Sequence, residues 1–221
     1  MSTTALWHTT LEEAGSASAP LVVLLHGRGA DERDIVALAD RLPAGPSYVA
    51  LRAPLAEGAG FAWFANQGIG RPLPASLATS IAWFTSWLDS VAGDRRPVVL
   101  VGFSGGATFA GGVVLADPSR YAGLASLYAT LPFEAGVPTA PDRLTGLPVL
   151  LLQGSADRVI PPELQARSWR YLHDSSGATL TAHRSSGGHS LTESDVGVLG
   201  HWLGALPASP PAHDDRHVGS R

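Results

Sequence analysis

Pro97-Val98-Val99-Leu100-Val101-Gly102-Phe103-Ser104-Gly105-Gly106 joins a short apolar run to a serine flanked by small residues. The apolar run fits a buried strand, and the Ala/Gly-rich stretch after it fits a helix. A chain that turns from strand to helix within so few residues strains the backbone of its corner residue. Small residues two positions before and after the corner let strand and helix pass closely. Ser104 is thereby predicted to project its hydroxyl from the sheet edge, near the positive end of the helix. This is the pattern of a nucleophile elbow. G-x-S-x-G also occurs in ordinary βα turns, so its meaning depends on the partners the rest of the chain supplies.

Such a serine needs an aspartate at the end of a later strand and, after it, a histidine. Leu147-Pro148-Val149-Leu150-Leu151-Leu152-Gln153 reads as a buried strand ending in Gly154-Ser155-Ala156-Asp157. Thr179-Leu180-Thr181-Ala182-His183 alternates as one more strand, and the loop Ser185-Ser186-Gly187-Gly188-His189-Ser190 follows it. Asp157 and His189 take the two places. Among the other histidines, His183 lies inside a strand, His201 in a helix, His173 near a helix end, His26 upstream of the serine, and His213 and His217 in a polar tail. Asp142 precedes the strand that Asp157 ends, Asp174 lies beside a helix end, and Asp195 falls in a first helical turn, where the dipole favours an acid.

Composition narrows the class. With 221 residues, 45% hydrophobic and 15% charged, the chain can bury one substantial core, expected as a single domain over residues 1–207. A formal net charge of −4 without a basic run argues against nucleic acid as a partner. All fifteen basic residues are arginine, a bias that carries no mechanism. Without cysteine, disulfides, thiolate metal sites and a cysteine nucleophile are excluded. The first residues lack a basic segment followed by a long apolar one, and no apolar stretch approaches a membrane span. The expectation is a cytoplasmic protein, monomer or homodimer, without stable membrane insertion, metal or cofactor.

Strand-like runs alternate with helix-like ones, which predicts an α/β fold: a mostly parallel sheet of about seven strands with helices on both faces. The strands are read around Leu6 to Leu11, Leu21 to His26, Tyr48 to Arg52, Val98 to Gly102, Ala122 to Tyr128, Val149 to Gln153 and Thr179 to His183. Ile35, Leu38, Ala39 and Leu42 recur at helical spacing behind Asp31 as cap. Leu77, Ile81, Phe84, Leu88 and Val91 do so over four turns, with Trp83 and Trp87 beside the stripe as core packing. A last helix is predicted after Ser190, with Thr192 and Asp195 at capping-box spacing, up to Pro207. Residues 208–221 lack periodicity and read as a disordered tail. A weak metal site at His213 and His217 is outweighed there by simple solvation.

Serine at its free pKa is a poor nucleophile, so the chemistry requires His189 to take its proton and Asp157 to hold the imidazole. A tetrahedral intermediate also needs two donors for its oxyanion: the Gly105 N–H and an N–H from the loop after an earlier strand. Leu25-His26-Gly27-Arg28-Gly29-Ala30-Asp31 is that loop, and the Arg28 N–H is the expected donor. Two other roles fit the Arg28 side chain, selection of an anionic substrate or simple exposure. His26 fits a structural hydrogen-bonded residue better than a second base.

The segment Leu25 to Asp34, the elbow at Ser104 and Gln153-Gly154-Ser155-Ala156-Asp157-Arg158-Val159-Ile160-Pro161 together resemble the phospholipase/carboxylesterase family of α/β-hydrolases. The resemblance runs in order from about Pro20 to Leu206. It implies the α/β-hydrolase fold without a large cap domain, and cofactor-free hydrolysis of small-molecule carboxylic esters or thioesters through an acyl-enzyme. Phe61-Ala62-Trp63-Phe64-Ala65-Asn66 matches the aromatic region after the Arg-Ala-Pro turn of such enzymes. Trp63 and Phe64, with Ile160, are assigned by this resemblance to the substrate pocket, ordinary core packing being the alternative for the two aromatics. Two positions depart from the thioesterase-like relatives: Gly105 stands where many have glutamine, and Ser190 follows His189 in place of an apolar residue. The readings in competition with a carboxylesterase are a thioesterase, a lysophospholipase, a dienelactone-hydrolase-like enzyme, and a hydrolase-fold binding protein without turnover. The lack of cysteine weakens the dienelactone reading, and the complete serine, histidine and aspartate set weakens the binding protein.

Overall fold

The computed structural model describes residues 4–8, 19–93 and 96–207. In chain order its elements are β1 (Ala5–His8), β2 (Leu21–Leu25), α1 (Glu32–Val36), β3 (Ser47–Leu51), β4 (Leu55–Glu57), β5 (Gly60–Ala62) and α2 (Pro74–Ala92). They continue with β6 (Val98–Phe103), α3 (Gly105–Ala116), β7 (Gly123–Leu127), β8 (Pro148–Gly154), α4 (Pro162–Arg170), β9 (Thr179–Ser185) and α5 (Glu193–Gly204).

Because side chains alternate across a strand, each central strand feeds two cores. Leu21, Val23 and Leu25 of β2, with Val98 and Leu100 of β6, pack with Leu77, Phe84 and Leu88 of α2 and Phe109 of α3. Val22, Leu24, Val99 and Val101 pack on the other face with Ile35 and Leu38 and with Val196, Leu199 and Trp202 of α5. Trp83 and Trp87 lie partly buried against the first of these layers, as core residues. The fold is the α/β-hydrolase type, and no large cap domain is inserted among the described residues.

Seven strands form one sheet in the order β1-β3-β2-β6-β7-β8-β9, with β1 antiparallel to β3 and the other neighbours parallel. From β2 the chain first adds β3 on one side and later places β6 on the other. The order therefore reverses between β2 and β6, which opens a crevice at their carboxyl ends. Register brings the strand ends level there: Leu25 pairs with Gly102, Phe103 with Leu127, and Gly154 with Ser185. The loops beginning at His26, Ser104, Tyr128, Ser155 and Ser186 consequently meet at one edge.

Several expectations need adjustment. The first strand is Ala5–His8, and residues 9–11 lie outside the described residues, as do residues 208–221 with His213 and His217. The helix capped by Asp31 is α-helical only to Val36 and continues as a 3₁₀ turn, Ala37–Arg41. Leu42 turns extended before Pro43, since a proline disfavours helical backbone in the residue before it. Tyr128 leaves strand geometry altogether at φ 54°. The hairpin β4–β5 is an addition, since three-residue strands carry no readable period, while the helix expected to end near His173 and Asp174 is α4, which continues as a π turn, Tyr171–Ser175. The last helix opens on the expected capping box of Thr192 and Asp195.

At its start α3 touches the backbones of both β6 and β2. A Cβ on Gly106 would lie 2.3 Å from the Leu25 carbonyl oxygen, whereas one on Gly197, in α5, would meet nothing within 4 Å. Gly106→Ala is expected to destabilise by about 2 kcal/mol or more, the scale of overpacking in a tight core. Gly197→Ala should be neutral or stabilising by up to about 1 kcal/mol through helix propensity. Urea or thermal unfolding of both variants checks the contrast, and equal midpoints would contradict it.

Candidate active site

Ser104 is the corner residue, with φ 52° and ψ −119°, a conformation that costs a non-glycine residue on the order of 1–3 kcal/mol. Its N–H donates to the Leu127 carbonyl at 2.9 Å, and its own carbonyl accepts from Ala107 and Thr108, both at 3.0 Å. The side chain is left facing the crevice, 2.8 Å from His189 Nε2. His189 Nδ1 lies 2.8 Å from Asp157 Oδ2. Asp157 Oδ1 meanwhile accepts from the Val159 and Ile160 N–H groups at 2.8 and 3.0 Å. Burial works against a charge on Asp157, but the hydrogen bond from His189 and those two N–H groups outweigh it and hold the carboxyl below its usual range. An ionised carboxylate only accepts, so Nδ1 carries the imidazole proton and Nε2 is free to accept from the Ser104 hydroxyl.

The loop after β2 is held in place from several directions. Gly29, at φ +79°, donates to the Phe61 carbonyl at 2.9 Å, and Phe61 donates back to Ala30 at 2.9 Å, which stitches the β4–β5 hairpin onto the loop. The Trp63 indole N–H donates to the His26 carbonyl at 2.8 Å. His26 itself is buried, donating from Nδ1 to the Gly27 carbonyl at 2.7 Å and accepting at Nε2 from the Ala53 N–H at 3.0 Å. Both ring nitrogens are thus used in structure, and His26 has none left to act as a base. Glu32, buried, meets Arg52 through two contacts of 2.6 Å, and Arg52 also stacks over Phe61. The Arg28 guanidinium pairs with Glu57 of the hairpin and reaches the Phe64 carbonyl at 3.3 Å. The N–H groups of Arg28 and Gly105 take no hydrogen bond among the described residues, and Gly105 abuts the Arg28 backbone.

The Phospholipase/Carboxylesterase family profile matches residues 7–206. The chain belongs to the phospholipase/carboxylesterase family. It is a hydrolase of that family. Among its relatives is MhqD of Bacillus subtilis (strain 168), a hydrolase by name, 26% identical over 186 residues that cover 82% of this chain and 91% of MhqD. A carboxylesterase from Mesorhizobium loti superposes with a TM-score of 0.75 at 26% identity, covering 86% of this chain and 90% of the other. The Bacillus cereus carboxylesterase shares the fold with a TM-score of 0.79 at 23% identity, covering 91% and 93%.

Beside Ser104 the structure places a cavity of about 50 Å³, lined among others by Trp63, Phe64, Thr108, Thr130 and Ile160. Trp63 and Phe64 are also buried core residues, Trp63 stacked on Phe109 at 4.8 Å, so the cavity wall and the core are the same side chains. No group of three or more histidine, cysteine, aspartate or glutamate residues is arranged for a metal among the described residues. No helix among them is long and apolar enough to cross a membrane.

Sequence reasoning missed the support under His189. The Tyr128 hydroxyl donates to Asp195 Oδ2 and contacts Ser185 Oγ, both at 2.7 Å. Asp195 Oδ2 also accepts from the Thr192 N–H and hydroxyl at 2.8 and 2.7 Å. Ser185 and Thr192 bracket the loop that carries His189, so Asp195 is more than a dipole acid: with Tyr128 it ties both ends of that loop together. Burial, aided by Asp195, pushes the Tyr128 hydroxyl up to about 12 and keeps it a donor. The positive φ of Tyr128 is what aims its ring beneath the loop, and no local sequence signal announces it.

Burial lowers the pKa of His26 from the ordinary 6.5, against weaker opposing effects of Gly27 and nearby acids. Below about pH 6.5 the unfolded chain therefore binds a proton that the folded chain refuses, and stability falls as pH falls. Thermal unfolding between pH 7.5 and 5 should show this decline in the natural protein and a shallower one in His26→Gln. An identical pH dependence in the two would remove His26 as its source.

Proposed function

We propose that this protein is a serine hydrolase that cleaves carboxylic esters of small molecules through an acyl-enzyme on Ser104. The observation that carries the proposal is the unbroken relay Ser104–His189–Asp157, two contacts of 2.8 Å, beside two unengaged backbone N–H groups. Ser104 Oγ attacks the ester carbonyl carbon while its proton passes to His189 Nε2, and Asp157 stabilises the imidazolium that results. The oxyanion takes the N–H groups of Gly105 and Arg28. The carbon–oxygen bond to the alcohol then breaks, and the departing oxygen receives the proton from Nε2. A water molecule repeats the sequence on the acyl-enzyme and releases the acid and free Ser104. One catalytic domain over residues 1–207, acting in the cytoplasm as a monomer or homodimer without cofactor, completes the reading.

Because Glu57 and the Phe64 carbonyl occupy the Arg28 guanidinium, its role is to hold the hairpin against the oxyanion loop rather than to bind an anionic substrate. Ser104→Ala and His189→Ala are expected to lower kcat/KM on p-nitrophenyl acetate by about 10³-fold or more with folding intact, and Asp157→Asn by about 10²–10⁴-fold. A folded Ser104→Ala protein with natural turnover would refute the proposal. Arg28→Ala keeps its backbone N–H, so it should retain kcat on neutral esters within about tenfold and show no selective rise in KM for acidic ones. A KM increase confined to acidic esters would restore the anion-binding role.

A further inference from the structure

Two spaces open on Ser104, and they differ greatly in size. The cavity walled by Trp63, Phe64, Thr130 and Ile160 holds about 50 Å³ and touches Gly105 but not His189. The second is a groove of about 580 Å³, bounded by Ile35, Leu38, Phe103, Leu191 and Val196, and His189 is part of its wall. Arg28 and Ser104 border both.

The proton route decides which part of an ester enters which space. If the esterase reading holds, the alcohol oxygen must lie within reach of His189 Nε2 when the tetrahedral adduct collapses, because Nε2 returns the proton to it. The side of Ser104 that His189 lines is the groove. The acyl chain then points away from His189, past Gly105, into the small cavity. One water needs a cavity of at least about 10–15 Å³, so a cavity of about 50 Å³ takes only a few heavy atoms.

The inner walls of the cavity are also fixed by packing that resists expansion. Thr130, Thr108, Trp63 and Ile160 are all buried, and the Thr108 hydroxyl is fixed to the Thr130 carbonyl at 2.8 Å. The loop over the mouth folds on itself through Gln67 N–H to Arg71 O and Arg71 N–H to Gly68 O, both 3.0 Å. On that loop even a Cβ at Gly70 would come within 2.8 Å of Leu164 and 3.0 Å of Thr130. A long chain would have to displace these packed residues to lie wholly inside the cavity. The groove has apolar walls, with Asp34 and Arg41 among the residues around it.

We infer that the substrates are esters pairing a short acyl group of two to four carbons with a bulky, apolar alcohol, the acyl group in the small cavity and the alcohol in the groove. This assignment rests on the esterase reading and deepens it.

Two ester series on the purified full chain test it. With p-nitrophenol as the constant leaving group, acetate and butyrate should exceed octanoate in kcat/KM by about 30-fold or more, within the range a closed apolar pocket discriminates. With acetate as the constant acyl group, benzyl acetate should exceed methyl acetate by about tenfold or more. The two alcohols have similar acidity, so the difference reports binding in the groove. Ile160→Ala should raise the octanoate-to-butyrate ratio severalfold without changing the benzyl-to-methyl ratio. Leu38→Trp, which fills the groove, should do the reverse and lower the benzyl preference alone. Octanoate hydrolysed as well as butyrate, or methyl acetate as well as benzyl acetate, in a reaction that still depends on Ser104, would overturn the inference and leave the esterase reading standing. No Ser104-dependent turnover of any ester in either series would overturn both.

Discussion

The structure depends first on the close crossing of β6 and α3 at Ser104. A strand and a helix can meet within one residue only if the corner adopts a left-handed backbone and both neighbours lack bulk. Gly102 and Gly106 supply the second condition: a Cβ on Gly102 would lie 2.5 Å from the Ala107 backbone, and one on Gly106 would press on the β2 carbonyls. The first condition is strain, and it is sustained by the Ser104 N–H to Leu127 bond together with the buried sheet and helix on either side. The crossing in turn dictates placement. Ser104 stands above the sheet edge where the strand order reverses, and the loops after β2, β7, β8 and β9 end around it.

Electrostatics at this edge follow one pattern at three buried groups, Asp157, His26 and Tyr128, each of which has fixed partners. Asp157 is kept charged by three donors, His26 is kept neutral by burial with both ring nitrogens engaged, and Tyr128 is kept protonated by burial beside Asp195. Fixed partners fix proton positions, and fixed proton positions are what the proposed relay needs before substrate arrives. The hairpin β4–β5 does the corresponding work for the backbone. It clamps the Arg28 loop through Phe61, Trp63 and the pairing of Glu57 with Arg28, so the two free N–H groups stay side by side.

How much of this was legible in the sequence depended on whether a feature is local. The meeting of Ser104, Asp157 and His189 was readable because each comes after a strand end, and parallel register brings strand ends level. The capping residues Asp31 and Thr192 were readable because a helix start is written within four residues. The hairpin was not, since its strands are three residues long and it joins the β2 loop through a single bridge, Phe61 to Ala30, about thirty residues earlier in the chain. Nor were Tyr128, Asp195 and Ser185, whose meeting spans distant segments, or the contrast between the small cavity and the groove, which arises only when α1, α5 and the aromatic segment converge. The Arg28 side chain sat between these cases: the sequence located it at the site, but its role turned on Glu57, a partner with no motif.

The central claim is that Ser104, and no other residue, is the activated nucleophile. It is tested most directly by treating the folded protein with a fluorophosphonate and locating the adduct by tandem mass spectrometry. One adduct per chain is expected, on Ser104, formed far more slowly when His189 is replaced by alanine. An adduct on a different residue, or none on a protein that unfolds cooperatively and is therefore folded, would contradict it.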